Sequence, residues 1–321
     1  MTILEVKELS KKYKNFSAVK GASFSVEQGE IFGFLGPNGA GKTTTINMIT
    51  GLVRPTSGNI MLAGIDCVKN SKTAQRIMGI VPDESNLYDD MNGFENLCFC
   101  ASLYGMDKKQ REEKARSLLL EFDLEKAGDR PFKAYSKGMK RKLTIAAGLI
   151  HDPKVLFMDE PTTGIDVESA KQIRERVASL KQKGTTVFLT THYIEDAQRL
   201  CERIAFIVDG QIVEIKPVKE LLESAEVNKH VVQFVLDGMT EAIAEKLAER
   251  FPNCSFEMLD NGCLCRTPDA VSILPFVHFF EESGIAVYEA RQRHPTLEDV
   301  FVEITGIEAK KLAKEKEGAR K

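Results

Sequence analysis

Gly36-Pro37-Asn38-Gly39-Ala40-Gly41-Lys42-Thr43 fits the spacing G-x-x-x-x-G-K-[ST] at every fixed position, and Thr44 continues it. Glycines at those points let successive backbone N–H groups turn inward around a phosphate chain, with a helix N-terminus adding a positive end behind them. Lys42 has the length and charge to reach the outer phosphates, and the Thr43 hydroxyl is a hard oxygen ligand for Mg²⁺. Farther along, Val155-Leu-Phe-Met-Asp159-Glu160 is an apolar run ending in two acids. A carboxylate at the carboxyl end of a parallel strand faces the ligand crevice, where Asp159 suits the metal and Glu160 a base or water-positioner. Read alone, the two acids also suit the first turn of a helix.

Such groups need elements to aim them. Ile31–Leu35 reads as a strand entering the glycine loop, and Ile46, Ile49 and Leu52 mark a helix leaving it, the setting that makes the loop a P-loop. Ile77–Val81, Val155–Met158 and Thr185–Thr191 are further apolar runs, hydrophobic on both faces, as parallel strands covered by helices on each side require. Between them Lys140–Ile150 carries Leu143, Ala146, Ala147 and Ile150 on one helical stripe. Residues 1–216 are therefore expected to form a three-layer α/β domain. After Lys216-Pro217 the texture changes to the order βαββαβα. Strands are expected at Val231–Leu236, Cys254–Met258, Cys263–Thr267 and Ile285–Ala290, and helices over Thr240–Phe251 and Asp269–Ser283. A last helix is expected to begin with Pro295 at its first position. That makes 217–306 a small α+β domain, with a Lys/Glu-rich tail over 307–321 as a frayed helix or a disordered segment.

Composition narrows the function classes. Lysine and arginine total 44 against 47 acidic residues, a net charge of −3 that gives no support to bulk nucleic-acid binding. No apolar run reaches membrane-spanning length, and Met1–Lys14 lacks the layout of a signal peptide, so a cytosolic chain that docks on any membrane it serves is expected. The seven cysteines, including two C-x-C pairs, lack the local ligand spacing of a metal site and read as buried, reduced thiols.

Tyr135-Ser136-Lys137-Gly138-Met139 stands ahead of the strand Val155–Met158, where ATPases of the ABC family carry their signature, usually Leu-Ser-Gly-Gly-Gln. Thr162-Thr-Gly-Ile-Asp166 resembles the family's D-loop, and Thr190-Thr-His192 its switch histidine at a strand end. Tyr13 occupies the position of the aromatic residue that stacks on adenine. With the P-loop, these motifs span roughly residues 3–215 in the family's order, so the chain is identified as resembling an ABC transporter ATP-binding subunit. The resemblance implies the P-loop NTPase fold with a helical subdomain at about 84–150, and ATP and Mg²⁺ as cofactors. It implies Lys42, Glu160 and His192 as the catalytic set, with Thr43 and Asp159 on the metal. It also implies that two subunits, copies or homologues, pair head to tail, so that the signature of each (Ser136 to Met139) clamps the ATP on the other's P-loop.

The chain departs from the family pattern twice. Lys137 and Met139 replace the first glycine and the glutamine of the signature, and Asp83, in Val81-Pro-Asp83, stands where the family carries the Q-loop glutamine. The neighbouring run Lys140-Arg141-Lys142 reads as basic residues on a helix, with a solvated face favoured for Arg141 and Lys142. Leu87, Tyr88, Met91, Phe94 and Leu97 suit either a groove for a partner's helix or the core of the helical subdomain. His151, His230, His278 and His294 fall outside every motif. The ending Arg293-His-Pro-Thr-Leu-Glu-Asp resembles subunits of drug- and antibiotic-exporting systems, which implies a separate membrane permease as partner. A soluble ABC ATPase and a binding-only regulatory subunit are the alternatives. One cassette without sustained heptads speaks against the first, while Asp83 keeps the second in view.

Overall fold

The computed structural model describes residues 1–224, 230–293 and 295–307, so His294 and the charged segment 308–321 lie outside the described residues. Two compact units divide the chain, Met1–Val218 and Lys219–Gly306.

The first unit opens with a long hairpin, β1 (Thr2–Tyr13) and β2 (Phe16–Glu27). There follow β3 (Ile31–Leu35), α1 (Lys42–Ile49), β4 (Ser57–Leu62), β5 (Ile65–Asp66), α2 (Ser71–Gln75) and β6 (Met78–Val81). A helical stretch holds α3 (Gly93–Leu103), α4 (Lys108–Glu121) and α5 (Lys137–Leu149). The strand–helix alternation then resumes with β7 (Val155–Asp159), α6 (Val167–Gln182), β8 (Thr186–Thr191), α7 (Ile194–Leu200), β9 (Arg203–Val208) and β10 (Gln211–Pro217).

Six of these strands form one sheet in the order β10-β9-β3-β8-β7-β6, with only β10 antiparallel to its neighbour. The central runs β3, β7 and β8 are buried at every residue, as strands covered on both faces must be. On one face Phe32, Phe34, Phe157 and Phe188 share a core with Phe24 of β2 and with Ile46 and Ile49 of α1. Phe24 stacks on Phe32 with ring centroids 5.7 Å apart. Alternation sends Leu156, Met158 and Leu189 to the opposite face, where α5, α6 and α7 pack on β6, β8 and β3. A second, antiparallel sheet, β2-β1-β4-β5, closes the first core. This sheet departs from the strand–helix alternation expected over residues 1–216. Its long strands alternate apolar with polar residues over much of their length, interrupted by bulges, and pair as a hairpin.

Parallel strands all end on one side of a sheet. Register pairs Leu35 with Thr191 and Asp159 with Thr190, so the segments leaving β3, β7 and β8 emerge together. These segments carry the P-loop, Glu160 and His192.

The second unit begins with α8 (Val218–Ser224), which starts at the boundary. It continues with β11 (Val231–Leu236), α9 (Glu241–Arg250), β12 (Ser255–Leu259), β13 (Gly262–Arg266), α10 (Leu274–Glu282), β14 (Val287–Arg293) and α11 (Leu297–Thr305). The four strands make an antiparallel sheet ordered β12-β13-β11-β14, the split β-α-β arrangement, around Phe234, Leu247, Phe276 and Phe280. Both proline-bearing helix starts differ from the sequence reading, and the last strand, expected over Ile285–Ala290, runs over Val287–Arg293. The helix expected from Asp269 starts at Leu274, with Pro275 in its first turn. Pro295 precedes α11 rather than opening it, because Thr296 is the cap. Its hydroxyl accepts the Asp299 N–H at 3.2 Å, and the Asp299 carboxylate accepts the Thr296 N–H at 2.9 Å. All seven cysteines are free, but Cys98, Cys100 and Cys254 are only half-buried.

Candidate active site

The loop between β3 and α1 turns into the helix at Gly41, whose φ of 101° is left-handed. A Cβ at Gly41 would come within 2.5 Å of the Ala18 carbonyl oxygen, so no other residue fits this turn without displacement. No side chain caps α1, which leaves first-turn N–H groups to face the loop. Lys42 is buried, and its ammonium donates to the loop's own carbonyls at Gly36 (2.8 Å) and Pro37 (3.1 Å). The same Nζ lies 3.4 Å from Glu160 Oε1.

Glu160 follows β7 with φ of 49°, a left-handed backbone in a residue that rarely adopts it. Its N–H donates to the Thr190 carbonyl at 3.1 Å. Its Oε2 lies 2.6 Å from His192 Nδ1 and accepts the Thr163 hydroxyl at 3.1 Å. Burial works against this carboxylate. The His192 hydrogen bond, the Lys42 ammonium and the Thr163 hydroxyl more than offset it, and hold its pKa below the ordinary glutamate value. The result is an ionised carboxylate between an ammonium and an imidazole at the sheet's carboxyl edge.

A cavity of about 330 Å³ opens over this set, lined by Asn38, Gly39, Lys42, Thr43, Thr44, Asp83 and Glu160, with Phe16 at its side. The structure thus gathers the P-loop, Asp83 and Glu160 around one space, with His192 outside its lining and bonded to the Glu160 carboxylate. Tyr13 does not line it. Its cross-strand partner Phe16 does, at the tip of the β1–β2 hairpin, while Tyr13 is half exposed beside Lys11. Asp159 sits behind the cavity with its carboxylate accepting the Thr190 hydroxyl. The hydroxyl of Thr43 and the carboxylates of Asp83 and Glu160 are hard oxygen donors facing the same space. Among the described residues no cluster of three His, Cys, Asp or Glu forms an all-protein cage. Such a donor set fits Mg²⁺ held jointly with phosphate oxygens.

The signature residues Ser136 to Met139 lie outside this cavity. Ser136 caps α5, its hydroxyl accepting the Met139 N–H at 3.2 Å, and Lys137 is exposed. Gly138 is pressed against α6, where a Cβ would meet Ser169 Oγ at 2.1 Å. Asp166 caps α6 through the Ser169 N–H at 2.8 Å, so signature and D-loop meet each other within one chain.

One expectation is overturned. Arg141 and Lys142 are not a solvated face: they are 6% and 8% exposed. Lys142 reaches toward Asp123 at 3.8 Å. The Arg141 guanidinium donates to the carbonyls of Pro161 (2.9 Å), Asp83 (3.1 Å), Asp159 (2.6 Å) and Pro82. Residues 87–97 divide between the two readings offered for them: Leu97 is core, Tyr88 is exposed and Leu87 lines a second cavity beside α5.

Comparison with known proteins agrees with this geometry. The ABC transporter family profile matches residues 19–163. The chain is 40% identical over 240 residues to the linearmycin resistance ATP-binding protein LnrL of Bacillus subtilis (strain 168), covering 75% of this chain and 77% of that one. The chain belongs to the ABC transporter ATP-binding proteins. It is 37% identical over 308 residues to the Nod factor export ATP-binding protein I of Ralstonia nicotianae, covering 95% of this chain and 94% of the relative. A solved ATP-binding cassette, a dimer in a post-hydrolysis state bound to ADP and Pi, superposes with a TM-score of 0.63 at 25% identity, covering 67% of this chain and 99% of that one. As a member of this family, the subunit binds and hydrolyses ATP. Among the described residues no helix is long and apolar enough to cross a membrane.

Proposed function

We propose that this subunit powers export through a separate membrane permease, docked on its cytoplasmic face, by closing two ATP molecules between head-to-tail paired ATPase subunits. The reading rests above all on one observation: Lys42 and Glu160 line the P-loop cavity, with His192 bonded to Glu160, while Ser136 to Met139 lie outside it. A second subunit, whether a copy or a homologue, supplies the missing signature. The names of the relatives, linearmycin resistance and Nod factor export, support an exporter.

In this reading the backbone amides of residues 36–44 and the Lys42 ammonium hold the β- and γ-phosphates, and the Tyr13–Phe16 hairpin tip offers aromatic faces to adenine. Lys42 then exchanges its loop carbonyls for phosphate oxygens, which releases Glu160 from its ion pair. Glu160 accepts a proton from the attacking water, and His192, bonded to the same carboxylate, fixes its orientation and the γ-phosphate. Thr43 and Asp159, with Asp83 nearby, would hold Mg²⁺, which neutralises charge on the phosphates. Asp166 lies at the D-loop between signature and α6. Positioning and electrostatics supply most of the rate enhancement in such a reaction.

Replacing Glu160 by Gln tests the assignment. ATP affinity is expected to stay near wild type while turnover falls by about 10²–10⁴-fold, the usual worth of a general base. Turnover near wild type would remove Glu160 from its role. Co-purification with a multi-spanning permease tests the transport half of the reading.

A further inference from the structure

We propose that Arg141 is a positioning residue that holds both the Glu160 segment and the Asp83 loop in working geometry from the second turn of the signature helix. The inference rests on the assignment of Glu160 made above.

Arg141 ties α5 to the two segments that carry the chemistry. It bonds the carbonyls of Asp159 and Pro161, the residues on either side of Glu160, at 2.6 and 2.9 Å. It also bonds the carbonyls of Pro82 and Asp83, the latter at 3.1 Å. A planar guanidinium offers five donors in a fixed fork and can hold four acceptors in set directions, where an ammonium has three rotatable donors. Each of its four bonds is to a backbone oxygen rather than to a carboxylate, so the group sets backbone geometry and leaves the carboxylates of Asp83, Asp159 and Glu160 for other partners. Burial draws the guanidinium pKa below the ordinary arginine value, against the pull of those three carboxylates. Removing a guanidinium from water is unfavourable unless its donors are satisfied, and here backbone carbonyls satisfy them.

The bonded backbone is itself unusual. Glu160 holds φ of 49°, a conformation that persists only where its surroundings over-determine it. Arg141 grips the peptides on both sides of that residue. One turn on, the Thr144 hydroxyl donates to the Lys140 carbonyl and its oxygen accepts the Ser85 hydroxyl at 2.8 Å, adding a second link between α5 and the Asp83 loop. Asp83 in turn lines both the P-loop cavity and the cavity beside α5. A shift of the signature helix is therefore transmitted to the general base through Arg141, and to the Asp83 loop through Arg141 and Thr144 together.

The test compares Arg141→Gln and Arg141→Lys in the full chain, each in the wild-type and the Glu160→Gln backgrounds, reading ATP affinity, kcat and KM. In the wild-type background both variants are expected to lower kcat by about 10–10²-fold, the scale of a misplaced catalytic group, with ATP affinity within about 3-fold. Lysine keeps charge and stem but not the fork, so it stays soluble if Gln does not fold. In the Glu160→Gln background the same changes are expected to lower the residual kcat by less than about 2-fold, because two residues acting through one group are non-additive. Equal losses in both backgrounds, or kcat within about 2-fold of wild type for Arg141→Lys, would overturn the proposal. Wild-type protein without Mg²⁺-dependent ATP hydrolysis would instead fail the functional reading on which it rests.

Discussion

Two helix N-termini in this subunit look alike in sequence and differ in structure. α1 begins after Gly41 with no side-chain cap, and its first residue Lys42 contacts Glu160 from the end of β7, which in turn contacts His192 from the end of β8. α5 begins after Ser136, which caps it, and its first turn carries an exposed Lys137 and a half-buried Met139. Both ends present N–H groups and a positive dipole, so both suit an anion. Only α1 has the Glu160 carboxylate, with His192 bonded to it, beside its first residue. The signature end instead has α6, the D-loop and, through Arg141, a mechanical connection to Glu160. In the proposed reading, one helix end holds a phosphate and the other meets the phosphate on a second subunit.

The comparison breaks most easily at Lys42. Lys42→Ala removes the only side-chain ammonium lining the P-loop cavity among the described residues. Charged hydrogen bonds contribute about 1.5–3 kcal/mol each, so ATP affinity of the purified subunit is expected to fall by about 10²-fold. Equilibrium binding of a fluorescent ATP analogue reads this directly. Affinity within about 3-fold of wild type would mean that α1 and its loop do not form the primary phosphate site.

Ser136→Ala sharpens the contrast. Loss of the cap is expected to destabilise α5 by about 1 kcal/mol. It should leave ATP affinity of the isolated subunit within about 2-fold, yet lower hydrolysis at saturating ATP by about 10-fold through the lost contact across the pair. Parallel binding and turnover assays separate the two effects. A binding defect as large as that of Lys42→Ala would erase the distinction between the two helix ends.

The P-loop, the β7 acids and His192 were legible because each is a short local pattern, and parallel strand topology then brings their ends together without further instruction. The C-terminal βαββαβα order was legible for a similar reason: each element carries its own period. Arg141 was not. Lys140, Arg141 and Lys142 in a row read as solvated charge, and the acceptors that bury Arg141 are carbonyls of Pro82, Asp83, Asp159 and Pro161, which no side-chain pattern announces. The β1–β2 hairpin hid in the same way, since strands near an N-terminus do not state their partners. Phe16 could have been found: it stands opposite Tyr13 across a two-residue Lys14-Asn15 turn, so any reading that places one aromatic at the loop places the other beside it.

The smallest expected effect concerns the resting site before ATP arrives. Glu160 has a pKa below the ordinary value of 4.5 because His192, Lys42 and Thr163 outweigh its burial. A carboxylate depressed in the folded state stabilises the fold at pH values above 4.5, and that contribution fades as pH falls toward the lower folded value. Wild type should therefore exceed Glu160→Gln in urea-denaturation stability by more at pH 7 than at pH 4, both without nucleotide. Saturating ATP should narrow the gap at pH 7, since Lys42 then turns to phosphate and the ion pair at 3.4 Å is given up. A gap that widens on acidification, or that ATP leaves untouched, would mean that the Lys42–Glu160–His192 contact is not the latch that nucleotide opens.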